Sequence, residues 1–208
     1  MAAKSNFKNM VMVLGLTCLL CSAVLGGAYA LTKEPIHAAN VARTNKAIGM
    51  VLPAFDETSY ESVEVDGKTY YYYKTVKDGE TVGYAVESSV VGFGGPLSLM
   101  VGVTPDGVVY NTSVLSHSET PGLGAKCNTD AKFMAQWAGF NPEKQILKVK
   151  NDGGNVNTIT GSTITSRAYT LAVKNAVEVA NYAMAGDALI LLAGDSEGGV
   201  EKSDESED

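Results

Sequence analysis

Two short segments hold the residues whose types and spacing suit chemistry. The first is Asn157-Thr158-Ile159-Thr160-Gly161-Ser162-Thr163-Ile164-Thr165-Ser166, placed just before an apolar-periodic run that reads as a helix. A helix N-terminus presents unpaired N–H groups and a partial positive charge, so it suits a phosphate. Gly161 permits a positive φ or close backbone approach. Thr160, Ser162, Thr163 and Thr165 offer hydroxyl donors to phosphate oxygens. The same hydroxyls also serve as ordinary caps, and Thr165 or Ser166 accepting from an orphan N–H would need no ligand. Composition alone favours that plainer reading.

The second segment is His117-Ser118-Glu119-Thr120-Pro121-Gly122-Leu123-Gly124, which follows a strand pattern. Its plain reading is a β-turn and a loop. As a site, it sets the polar pair Glu119 and Thr120 beside flexible backbone able to approach a flat ring, where Glu119 can accept from a ring N–H. His117 reads as a structural hydrogen bonder. A serine or threonine hydrolase is disfavoured, because the chain has no G-x-S-x-G and no second histidine near its end. No G-x-G-x-x-G follows a strand, so no nicotinamide site is expected. His37 and His117 stand alone and no zinc spacing accompanies them. Cys18 and Cys21 are spaced C-x-x-C inside an apolar stretch and read as small packing residues. Cys127 alone in the remaining chain gives no disulfide framework.

The elements that must position these segments can be read from pattern. Glu34–Leu52 is expected to be helical, with Pro35 in a first turn, Ile36, Ala39, Ala47 and Ile48 on its apolar face, and Pro53 as its stop. It continues from a preceding span as a stalk or as a first element of the domain. Residues 62–65 and 68–76 flank Asp66-Gly67 and read as a hairpin in which Tyr70–Tyr73 alternate between a packed and a wet face. Strands are also expected at 82–91, 97–103, 108–115 and 145–150, and a short helix at 130–138. The clearest helix is 167–184. Ala168, Ala172, Ala176, Val179 and Ala183 line one stripe, with Val173, Val177, Ala180 and Met184 beside it. The balance is α+β, an antiparallel sheet with flanking helices.

Met10–Leu31 carries no charge over about 22 residues, enough to cross a hydrocarbon core of roughly 30 Å as a helix. Lys4 and Lys8 precede it, so residues 1–9 are expected as a cytoplasmic arm, 10–31 as a transmembrane helix and 32–194 as an extracytoplasmic domain. The rival is a cleaved signal peptide ending near Ala28-Tyr29-Ala30. The net charge of −7 argues against nucleic acid as a partner. Residues 195–208 hold seven acids against Lys202, and hence −6 of that charge. They read as a solvated, disordered tail.

The run Glu119-Thr120-Pro121-Gly122-Leu123-Gly124, then Thr160-Gly161-Ser162-Thr163 before a helix, resembles the FMN-binding domain of the G subunit of Rnf electron transport complexes. Related to it is the C subunit of the sodium-pumping NADH:quinone reductase. Gly92-Phe93-Gly94-Gly95-Pro96 is similar to a glycine-rich segment of the same family. The resemblance implies a single-pass subunit of the cell inner membrane with its soluble domain on the periplasmic or outer side. It implies FMN joined through its phosphate to Thr163 by a flavin transferase. Thr160, Gly161, Ser162, Thr165 and residues 119–124 (Glu119, Thr120, Pro121, Gly122, Leu123, Gly124) would be cofactor-binding. It also implies neighbouring membrane subunits that couple ferredoxin and NAD to ion movement, with this chain carrying electrons rather than acting as a catalyst alone. Asn157 stands where the family has an acid, and Ser162 where it has Ala. The alternatives are the quinone-reductase subunit or a non-redox binding module anchored to the membrane.

Overall fold

The computed structural model of the chain describes residues 7–65 and 67–197, with backbone only over 189–197. Residues 1–6 of the expected arm, Asp66 of the expected hairpin turn, and the acidic tail from residue 198 onward lie outside the described residues. The chain divides into two compact units, 1–43 and 44–208.

The first unit consists, where described, of the N-terminal part of helix α1, Phe7–Val51. Among the described residues α1 is the helix long and apolar enough to cross a membrane, by length and composition. Its large apolar side chains from Phe7 to Val41 are exposed. Pro35 lies inside the helix rather than in a first turn, and Ile36 and Ala39 are exposed.

The second unit opens with the last turns of α1, where Ala47, Ile48 and Val51 are buried. Five strands follow: β1 Glu57–Val65, β2 Lys68–Lys77, β3 Glu80–Val91, β4 Pro96–Val103 and β5 Val109–His117. They pair antiparallel in the order β1-β2-β3-β4-β5, a meander built of hairpins. Asp78 and Gly79, both at positive φ, form the two-residue turn between β2 and β3. Helix α2, Ala131–Ala135, and helix α3, Thr163–Glu197, complete the unit.

Strand alternation divides the core in two. Tyr72, Tyr84, Val86, Leu97, Leu99, Val101 and Val103 point to the face covered by Ala168, Ala172, Val173, Ala176, Val177, Val179, Ala180 and Ala183 of α3. Ala85 and Met100 point the other way, onto Ala47, Ile48, Val51 and Leu52. Gly102 makes this second contact possible, since a Cβ there would overlap the Val51 carbonyl. The tyrosine run splits as alternation requires: Tyr72 is buried under α3, Tyr73 packs toward the other cluster, and Tyr71 is exposed.

Three further expectations need correction. Residues 145–150 form no strand; Val149 makes only an isolated parallel bridge to Val156. The Asn155 side chain accepts from the Ile146 N–H at 2.7 Å, and left-handed Gly153 turns the chain back on itself, so the backbone pairs locally. The helix expected over 130–138 is five residues long. Asp130 caps it by accepting from Lys132 and Phe133 N–H groups, and turns follow it. Helix α3 begins four residues before Arg167, at Thr163, and extends past Met184 to Glu197, taking up Ala188–Ala193.

Candidate functional site

Three loops converge at the first turn of α3. The chain enters it through a turn in which Ser162 N–H donates to the Ile159 carbonyl at 3.0 Å, with Gly161 at φ 76°. Ser166 locks this turn from inside. Its buried hydroxyl accepts from Ile159 N–H and donates to the Ser162 carbonyl, both at 2.9 Å. The N–H groups of Thr163, Ile164 and Thr165 precede any intrahelical acceptor and make no backbone hydrogen bond among the described residues.

The second loop follows β5. Leu123 and Ala125 N–H groups donate to the Thr120 carbonyl, with Gly122 at positive φ. The third is the β3–β4 turn, Gly92-Phe93-Gly94-Gly95, closed by Gly92 N–H to the Gly95 carbonyl at 2.8 Å.

Glu119 joins all three. The residue is 5% exposed. Oε1 accepts from Phe93 N–H at 2.8 Å. Oε2 accepts from the Thr165 hydroxyl at 2.9 Å and from Gly94 N–H at 3.4 Å. A buried carboxylate is tolerable with such donors and with the positive end of α3 nearby. The glycines are there because the carboxylate is: a Cβ on Gly92 or Gly124 would occupy the space of its oxygens. His117 helps set the loop, its Nδ1 accepting from Glu119 N–H at 3.3 Å. Cys127 is buried, and burial, then the Glu119 charge, push its thiol up to about 11, so it stays protonated and unreactive at neutral pH.

These loops enclose a cavity of about 400 Å³ lined by Phe93, Glu119, Thr120, Leu123, Gly124 and residues 161–165. Of the residues expected from sequence, Glu119, Thr120, Leu123, Gly124, Gly161, Ser162, Thr163 and Thr165 therefore meet in one place. Pro121 and Gly122 form the exposed tip of the turn, and Thr160 is exposed outside the lining. Phe93 and Ile164 are wall residues that sequence reasoning misses; for Phe93 the available signal is one large aromatic among three glycines. Asn157 lies away from the cavity, its N–H donating to Gln136 Oε1 at 2.8 Å and its carbonyl accepting from Gln136 Nε2 at 3.2 Å. A larger groove of about 750 Å³ runs between residues 142–149 and the outer face of α3, but holds none of the expected site residues.

The donor set fits a phosphorylated aromatic ligand. The helix N-terminus offers N–H groups, and half-buried Thr163 lies in the cavity wall. Phe93, Leu123 and Ile164 stay 66%, 48% and 52% exposed around the same cavity, an apolar rim for a flat ring.

Comparison with known proteins agrees with this chemistry. Residues 92–178, which include all three loops, match the family described as FMN-binding domain. The G subunit of the proton-translocating ferredoxin:NAD(+) oxidoreductase complex of Clostridium ljungdahlii is 34% identical over 166 residues, covering 79% of this chain and 86% of that relative. The G subunit of the ion-translocating oxidoreductase complex of Vibrio cholerae is 31% identical over 186 residues, covering 82% of this chain and 88% of that one. Among solved structures, the C subunit of the Na(+)-translocating NADH-quinone reductase from Parabacteroides distasonis aligns over 69% of this chain and 83% of its own at 20% identity, with a TM-score of 0.49. The chain thus belongs to the family of G subunits of ion-translocating oxidoreductase (Rnf) complexes and carries an FMN-binding domain.

Proposed function

We propose that this chain is a membrane-anchored electron carrier whose FMN is bonded through its phosphate to Thr163. The observation that carries the reading is the position of Thr163, the first residue of α3 and part of the cavity wall. A phosphate esterified there would sit against the unpaired N–H groups of Thr163, Ile164 and Thr165. Attachment would form the Thr163 Oγ–P bond and break the phosphoanhydride bond of an activated flavin nucleotide, the threonine proton leaving with the released phosphate group. A flavin transferase supplies that chemistry, since among the described residues no general base lines the cavity besides Glu119, which is already committed to three donors.

When bound, FMN supplies one- and two-electron redox chemistry; the protein fixes where it stands and what surrounds it. A covalent tether keeps the flavin from diffusing away outside the cytoplasm. Ser162, Thr165, Gly161 and Thr120 would hold the phosphate end, and Leu123 and Gly124 the ring end. Thr160 and the Pro121-Gly122 tip are exposed outside the cavity lining. The span within α1 anchors the chain in the lipid bilayer of the cell inner membrane, with the second unit on the periplasmic or outer side. There it exchanges electrons with neighbouring subunits of a complex that couples ferredoxin and NAD to ion translocation. One uncharged span gives no ion path, so pumping belongs to those neighbours.

The test is to co-express the full chain with a flavin transferase, purify it in detergent, and titrate it electrochemically. A yellow protein that bleaches and recovers reversibly through a flavin couple supports the reading. A colourless chain with no such couple opposes it.

A further inference from the structure

We infer that Phe93 is the stacking wall for the ring system of the flavin, held in place by Glu119. This rests on the reading of Thr163 as the attachment point. Phe93 is 66% exposed, unusual for a large aromatic side chain whose backbone is so firmly held. Its N–H is fixed at 2.8 Å by a buried carboxylate. Its neighbours Gly92 and Gly94 have no room for a Cβ, Gly94 because one would overlap the Ser118 carbonyl. Rigid backbone under an exposed aromatic ring is how a protein presents a platform at low entropic cost.

The occupant follows from what shares the cavity. Phe93 and Thr163 line one space of about 400 Å³, and Leu123 and Ile164 supply the remaining exposed apolar surface there. Among the described residues, the only charged group in the lining is Glu119, whose oxygens are already engaged. A planar, largely apolar ring tethered at Thr163 would bury these side chains, and aromatic faces stack in offset geometry. Through Thr165, the same carboxylate ties this platform to the first turn of α3. Glu119 is therefore a positioning residue that sets the spacing between platform and tether.

The test uses flavin emission from the labelled full chain. Among the described residues, no tyrosine or tryptophan lines the cavity. An electron-rich phenol in contact with an excited flavin quenches it by electron transfer, whereas the phenyl ring of Phe does not. Phe93→Tyr is expected to lower emission severalfold per labelled chain, with label counted by intact mass. Ile146→Tyr, at an exposed position in the other groove, is expected to leave emission unchanged. Phe93→Ala should raise iodide quenching of the flavin. Equal emission from labelled Phe93→Tyr and Ile146→Tyr overturns the assignment while leaving Thr163 attachment intact. A folded Phe93→Tyr chain that takes no label also overturns it. An unlabelled wild-type chain removes both readings.

Discussion

At the level of single residues, replacing Glu119 by Ala would remove the acceptor of the part-buried Phe93 and Gly94 N–H bonds and leave the buried Thr165 hydroxyl without its partner. The expected loss is about 2–4 kcal/mol, because unsatisfied buried donors forfeit their solvation. Thr165→Val, which removes one donor and keeps the volume, should cost about 1 kcal/mol. Urea unfolding of both variants checks the order; equal losses would mean that the carboxylate does not unify the three loops. The hydroxyl-rich run and the E-T-P-G-L-G loop are visible as chemistry in the sequence. The role of Glu119 is only half visible. Its oxygens hold backbone 25 and 26 residues earlier and a hydroxyl 46 residues later, pairings that no local spacing encodes. For Phe93 the sequence shows only its place in a glycine-rich segment; what marks it as a wall residue is exposure on a fixed turn, a tertiary property.

At the scale of elements, periodicity serves well where it is long. The alternating strands and the small-residue stripe of α3 lie as the pattern requires. It fails where side chains bond their own backbone. Asn155 and Gly153 convert an apolar-looking run into a folded-back loop. Ser166 and Ser162 let β-branched Thr163 and Ile164 start a helix that propensity would begin later. The loop before α3 is further tied to it by Arg167, whose guanidinium meets both Asp152 oxygens at 2.7 Å on the surface. The hydrogen bonds from Arg167 hold the Asp152 carboxyl below its usual range. A depressed carboxylate contributes stability above its unfolded pKa of about 3.9 and loses it as pH falls through the lower folded value. Asp152→Asn should therefore remove a small part of the acid-side fall in melting temperature and leave its shape above about pH 5 unchanged. Identical acid limbs in variant and wild type would show that the pair adds nothing.

On the scale of the whole molecule, the α+β class and the apolar N-terminal helix are legible because both depend on pattern over long windows. Where burial begins on α1 is not. Ile36 and Ala39 have the same apolar character as Ala47 and Ile48, yet only the latter pair belongs to a core. That core lies wholly within residues 44–208, as does the cluster beneath α3. A chain starting at Thr44 is therefore expected to stay in the supernatant after ultracentrifugation and to unfold cooperatively. The full chain should instead pellet with membranes and resist carbonate extraction. A truncated chain that aggregates or melts without cooperativity would show that residues before Thr44 are needed for the fold.

Peptide mapping by mass probes the proposed bond at the Thr163 hydroxyl. The full chain, produced with a flavin transferase, is digested and the peptide containing residues 157–166 is weighed beside its Thr163→Ala counterpart. The expected result is one added FMN, less water, on the wild-type peptide, fragmentation that assigns it to Thr163, and none on the variant. An unmodified wild-type peptide, or a flavin that persists in the variant, would contradict it.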